Sequence, residues 1–297
     1  MAGLDNNSFP RFLISPETTA FHRLSRSVNL EYYAFLVFAN YLIVTTPLRH
    51  FQYKIVYNAE PLLFALTKIQ ILVYYYSMKF SLKQIFVPNF GKRLSFMLPS
   101  IILMGVFVSI LMEIGWGTDP ASFMNQNIAA LFGWSMGRTQ VSVYLIMLVF
   151  TILFGVEMIG LGTITNMVVI GYTIDFCRWI WKNTGFNIVL SEGNFALRIG
   201  IFALALLLFA LVAAIYINAK MGVSPYDAIP NILSNWFKKV PFIIIRIAFD
   251  FSAVGLGVIA GKLNPNGIQG SILGSILMSI LLGPMITIVA RPLKKIL

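Results

Sequence analysis

Gly117-Thr118-Asp119-Pro120 opens one short segment of this chain, and Gly222-Val223-Ser224-Pro225 opens another at an offset of 105 (222 minus 117). In each, a glycine turn leads to a residue able to cap a helix, Asp119 or Ser224, and then to a proline. Proline suits the first turn of a helix, where an N–H has no partner anyway, and Asp or Ser accepts from the orphan N–H groups there. The pattern predicts short helices over about 120–134 and 225–236.

Working outward, each short helix sits after one long apolar run and before two more. The runs lie at about 95–115, 140–156 and 162–181, then at 196–218, 240–261 and 268–290. Each is long enough, some with their flanks, to cross about 30 Å of hydrocarbon, and there a helix alone satisfies its own backbone. A second echo runs through the last helix of each set. Gly162-Thr163 followed by Gly171 answers Gly274-Ser275 followed by Gly283, with nine residues between the glycines in both. The loop 262–268, with Pro265 and Gly267, accounts for the longer second copy. The expected fold is an all-α membrane protein of two tandem repeats. Each repeat has three long transmembrane helices and one short proline-headed helix. The expected parts are a polar N-terminal tail (1–28), an aromatic-rich membrane-associated helical extension (29–94), repeat 1 (95–185) and repeat 2 (196–292). The extension holds two apolar stretches, 30–48 and 61–78, broken by Glu31, Asn40, Lys68 and Gln70, so whether it spans stays open.

Composition agrees with lipid as the solvent. The chain is 58% hydrophobic and 11% charged, with a mean hydropathy of +0.81. A soluble domain averages about 45–50% apolar and about 25% charged. The net charge of +11 does not point to nucleic acid, because the cations cluster at the ends of apolar runs, as in Lys92-Arg93, Lys238-Lys239 and Lys294-Lys295. Cys177 stands alone, which leaves no intrachain disulfide. The first 28 residues lack a central apolar stretch, and no cleavable signal is expected.

The stretch Gly160-Leu-Gly-Thr-Ile-Thr-Asn166 with Ile170-Gly171 and Asp175, the stretch Met221-Gly-Val-Ser-Pro-Tyr-Asp227, and Leu282-Gly-Pro284 resemble the YczE/YitT-type bacterial integral membrane protein family. The resemblance covers about residues 95–292. It implies a multi-pass protein of the bacterial cytoplasmic membrane and brings no catalytic residue, cofactor or substrate. Two departures stand out: Thr-Asp-Pro-Ala-Ser in the first copy where the second has Ser-Pro-Tyr-Asp, and the aromatic extension, which lies outside it.

Two topologies compete. If the short helices are re-entrant the repeats are inverted, and residues 79–95, 220, 238–239 and 291–295 share a side, with ten basic residues against five. If the short helices cross, the repeats are parallel and the count becomes thirteen against two, which the positive-inside rule prefers. Length opposes crossing, since about 13–15 residues cover only ~20 Å. The charge count favours the parallel arrangement, and either arrangement puts the C-terminus in the cytoplasm.

Ionisable groups at membrane depth are expensive and therefore candidates. Asp227 leads, in the first turn of its helix where the dipole favours an anion, with Ser224 beside it. A carboxylate that merely caps its own helix is the plainer reading. Asp119 is its counterpart. Asn125, Gln126 and Asn127 on the first short helix, and Asn166 after Gly162-Thr163, either line a solute cavity or bond neighbouring helices. Arg246 and Asp250 are four apart and share a helix face, as an internal ion pair or a gate. Glu113, and Asp175 with Arg178 near Trp179 and Trp181, read as interfacial anchors. His22 and His50 have no partner at ligand spacing, and no HExxH, CxxC, GxSxG or Walker motif occurs. No metal, no cofactor and no catalytic role is expected.

These residues point first to a transporter or permease for a small solute or ion, with a central site between two pseudo-symmetric repeats. The alternative is a non-transporting scaffold or regulator that binds a protein partner through the N-terminal extension. A lipid-modifying enzyme using Asp227 and Asp175 is a distant third.

Overall fold

The computed structural model describes residues 87–293. The tail, the two apolar stretches of the extension, His22 and His50 lie outside the described residues. Backbone contacts divide the chain into Met1–Gln70 and Ile71–Leu297, and all described residues belong to the second unit.

They form an all-helical body. In order, the helices are α1 (Phe90–Ile114), α2 (Pro120–Phe132), α3 (Met136–Gly155), α4 (Leu161–Thr184), α5 (Phe186–Glu192), α6 (Phe195–Ala219), α7 (Pro225–Trp236), α8 (Phe242–Leu263) and α9 (Ile272–Leu293), with a 3₁₀ turn at Val156–Met158 after α3. Helices α1, α3 with its 3₁₀ turn, α6, α8 and α9 are long and apolar enough to cross a membrane. Their outer faces carry side chains that water would reject, such as Ile146 at 75% and Leu273 at 68% exposed. A lipid bilayer suits that surface.

Helix α4 is also 24 residues long but carries Asp175, Arg178 and Lys182 in its second half. It lies along α1 and matches its depth: Arg178 at its far end bonds Glu113 at the end of α1 at 2.6 Å, and Gly105 meets Thr173 midway. Two details depart from the sequence expectation. Helix α1 starts at Phe90, inside the stretch assigned to the extension, and in its first turns the Arg93 guanidinium donates to the Ala219 carbonyl at 2.9 Å. The small helix α5 is additional.

The short helices start as expected. Asp119 accepts from Ser122 N–H at 3.0 Å and Ser224 from Asp227 N–H at 3.0 Å, with Pro120 and Pro225 in the first turns. The glycine before each cap, Gly117 (φ 126°) or Gly222 (φ 110°), has a backbone that a Cβ would strain.

Helix directions decide the topology. Arg93 near the start of α1 donates to Ala219 at the end of α6 at 2.9 Å, and Arg198 near the start of α6 donates to Ile114 at the end of α1 at 3.0 Å. Helices α1 and α6 therefore run antiparallel, and the parallel arrangement preferred by charge counting fails. The reason is length: α2 has 13 residues and α7 has 12, too few to cross. Helix α2 instead returns to the side it left, since the α3 start is bonded to Asp175, one turn from Arg178 and thus near the end of α1.

The packing is exchanged between the two parts of the chain. Helix α2 lies along α8, and α7 lies along α3. Gly257 and Gly261 admit α2 closely, for a Cβ at either would press on Phe123 or on Asn127. The turn before α2 rests on the start of α9, where Thr118 N–H donates to Ser275 Oγ at 3.3 Å. The turn before α7 rests on the start of α4, where Gly162 N–H donates to Met221 O at 2.6 Å.

Candidate functional site

The starts of α2 and α7 face one polar centre. The Asp227 carboxylate takes Ser224 Oγ–H on one oxygen (2.7 Å) and Arg246 on the other (2.5 Å). The same guanidinium donates through Nε to Asp250 at 3.0 Å, and Tyr226 O–H donates to the second Asp250 oxygen at 2.7 Å. Helix α7 thus supplies Asp227 and Tyr226, and one turn of α8 supplies Arg246 and Asp250. Asp250 is the buried end, with its side chain 6% exposed, while those of Arg246 and Asp227 are 26% and 32% exposed. The Tyr226 ring closes the group, with the guanidinium 5.3 Å from its centroid and Phe249 packed against it at 4.8 Å. Tyr144 of α3 stacks on the Tyr226 ring at 6.4 Å.

The start of α2 packs beside this centre, where Ala121 and Met124 share a buried cluster with Tyr144 and Tyr226. The two short helices distribute the same two residue types in opposite order. Helix α2 has Asp119 at the cap and Ser122 three residues on, whereas α7 has Ser224 at the cap and Asp227 three residues on. One carboxylate is therefore a cap and the other projects from the first turn, free to take a guanidinium. The positive ends of both helix dipoles favour negative charge here.

The remaining candidates separate. Asn127 bonds its neighbours: its amide donates to Phe123 O (2.9 Å) and Gln269 O (3.1 Å) and accepts from Gln269 N–H (2.8 Å), which ties the loop before α9 to α2. Asn166 is buried on α4, and its carbonyl accepts from Gln140 Nε2 at 3.0 Å. Asn125 is 1% exposed, and neither end of its amide has a partner. Asp175 and Arg178 do not act as one anchor. Asp175 caps α3 by accepting from Met136 N–H (2.9 Å) and Gly137 N–H (2.8 Å), while Arg178 pairs with Glu113.

Two contributors were not singled out as candidates from the sequence: Tyr226 and Tyr144. Tyr226 stands inside the motif that opens the second short helix, next to Asp227. Tyr144 carries no local signal, because its role comes from the packing of α3 against α7.

Nine helices among the described residues, five of them long apolar spans, with a charged centre between the half-length α7 and the long α8, define a polytopic helical membrane protein. Residues 91–291 match a family of unknown function (DUF6198), and the chain belongs to that family. Neither a curated protein nor a solved structure matches it.

Proposed function

We propose that this chain is a transporter or permease for a small solute or ion, built as two inverted repeats around the centre formed by Asp119, Asp227, Arg246 and Asp250. The observation that carries this reading is the linked carboxylate–guanidinium–carboxylate group where two half-length helices begin, inside an otherwise apolar body. Ionisable groups in that setting mark substrate or ion paths, and half-helices that start inside the bilayer are the recurrent device of secondary transporters.

Inversion is supported by equivalences along the chain. Arg93 to Ala219 and Arg198 to Ile114 are the same bond displaced by 105 residues (198 minus 93, and 219 minus 114). Helices α1 and α6, with 25 residues each, keep that offset throughout. The reciprocal docking of α2 on α8 and of α7 on α3 fits a two-fold axis lying in the membrane plane. Rocking one repeat against the other would expose the centre to each side in turn. The C-terminus is assigned to the cytoplasm, on the side with ten basic residues against five. Kinship with YczE/YitT-type proteins of the bacterial cytoplasmic membrane belongs to the same proposal.

The test is uptake into proteoliposomes over a panel of labelled inorganic ions, amines, amino acids and organic acids. Flux is expected for one class, with Asp227→Asn reducing it at least about tenfold while the purified protein stays monodisperse. No flux for any class, together with no solute that raises the unfolding temperature, overturns the proposal.

A further inference from the structure

The two ends of the α1–α6 pair are built from corresponding residues but differ in charge. At one end, the last turn of α1 holds Glu113, which answers Arg178 at 2.6 Å, and the helix stops on Gly115, whose φ of 77° suits a residue without a Cβ. At the other end, positions 218 and 220 stand at the same offset of 105 (218 minus 113, and 220 minus 115). Asn218 takes the place of the acid and donates to the Ala290 carbonyl at 3.0 Å. Lys220 takes the place of the glycine yet keeps its left-handed backbone, at φ 51°. A lysine there carries strain that glycine would not, and an outlier of this kind points to a use for the side chain.

The two arginines diverge in the same direction. Arg198 donates to the Leu190 and Ile114 carbonyls and lies over the Trp116 ring. Arg93 makes a single such bond, to Ala219 at 2.9 Å, and its Nε is buried with no partner. The bond from Asn218 to Ala290 brings Arg291, the next residue of α9, to the same end. Among the described residues none of Arg93, Lys220 and Arg291 is ion-paired, and Lys220 and Arg291 are exposed. Three positive charges outweigh the helix ends they sit on: the C-termini of α6 and α9 contribute about half a negative charge each, and the N-terminus of α1 about half a positive one. Ile217 and Ile288, three residues before Lys220 and Arg291, are 51% and 66% exposed, so each exposed cation has an apolar side chain about one turn deeper. Cations above a lipid-facing apolar surface, at the ends of helices long enough to span, match a phospholipid, with its phosphate outside and its acyl chains inside, better than a soluble anion.

We propose that Arg93, Lys220 and Arg291 form a docking surface for anionic phospholipid, held through the headgroup phosphate. Lipid retention is independent of whether the protein moves a solute. The probe is dioleoylphosphatidylglycerol against dioleoylphosphatidylcholine, titrated onto the full chain in detergent. Bound lipid is counted by native mass spectrometry, and the unfolding temperature is read alongside. Phosphatidylglycerol is expected to be retained at least about twentyfold more tightly, at about fivefold for each cation near an anionic headgroup. Lys220→Gly, which installs the residue type found at position 115 and relieves the backbone, is expected to cut that preference about fivefold, and the double variant with Arg291→Gln to bring it near parity. Lys262→Gln, in the last turn of α8, removes the same charge elsewhere and is expected to leave the preference unchanged. Equal retention of the two lipids overturns the proposal. So does a preference that survives the double variant or falls equally in Lys262→Gln, and so does equal stabilisation by inorganic phosphate in place of phosphatidylglycerol.

Discussion

Gly274 and Gly117 meet backbone to backbone, so closely that a Cβ on Gly117 would sit 2.7 Å from the Gly274 Cα. Gly222 and Gly160 repeat the contact, with a Cβ on Gly222 again 2.7 Å from the Gly160 Cα. Each turn that leads into a short helix is thereby seated on the start of a long helix from the other half of the chain. Backbone on backbone leaves no flexible side chain to yield.

Gly274→Ala is therefore expected to destabilise by about 1–3 kcal/mol or more through overpacking. Gly283, on the same helix with nothing within 4 Å of its would-be Cβ, is the control, and its alanine variant should unfold near the parent temperature. Thermal unfolding in detergent reads both. Equal behaviour of the two variants would contradict the close approach.

Removing Arg246 is expected to cost more than removing either acid. Arg246→Ala strands Asp227 and the buried Asp250 together, and breaking one side of a buried ion pair costs about 3–5 kcal/mol. Partial exposure of Asp227 places the loss near the lower end. Adding Asp250→Asn to Arg246→Gln should recover part of the stability, because it removes the charge that Arg246 no longer answers. A double-mutant cycle on unfolding temperature with no recovery would show that the two residues are not coupled.

Arg93 and Arg198 each cap the C-terminal carbonyls of the other's helix, where the dipole favours a cation. Arg93→Gln should cost about 1–2 kcal/mol. Arg198→Gln should cost more, since Arg198 also donates to Leu190 O at 2.9 Å and covers the Trp116 ring at 4.9 Å. The two lie at opposite ends of the α1–α6 pair, so the double variant is expected to show the sum of the single losses.

Asn127→Leu is expected to free the loop before α9. The substitution deprives both the N–H and the C=O of Gln269 of their partner, at about 1 kcal/mol for these part-buried groups. Hydrogen–deuterium exchange over residues 264–271 should speed up while α1 and α6 stay protected. Unchanged exchange in the loop would refute the role given to Asn127.

Much of the fold was legible because lipid imposes a simple rule. Long apolar runs must be self-bonded helices, and Gly-x-Asp-Pro or Gly-x-Ser-Pro turns and starts one, so the existence of the long helices and the starts of α2 and α7 were readable, while α1, α3 and α9 begin four or five residues away from their apolar runs. Of the candidate site, the pairing of Arg246 with Asp250 was readable from spacing of four on one helix. The attachment of Asp227 to that pair, the part of Tyr226, and the separation of Asp175 from Arg178 were not, since each depends on contacts between helices. Counting charges misjudged the relative direction of α1 and α6: it weighs loops and is blind to whether a short helix crosses or returns.

By itself, then, the order of residues determined that long apolar helices sit in lipid and where the two short proline-headed helices start, because those are local or solvent-level properties of the chain. Only the tertiary structure decided which helix starts meet, that α1 opposes α6, and that Asn125 and Asp119 are left with unanswered atoms. Those outcomes depend on which glycines let backbones touch and which guanidinium reaches which carboxylate across the bundle, and neither distance is encoded by sequence separation.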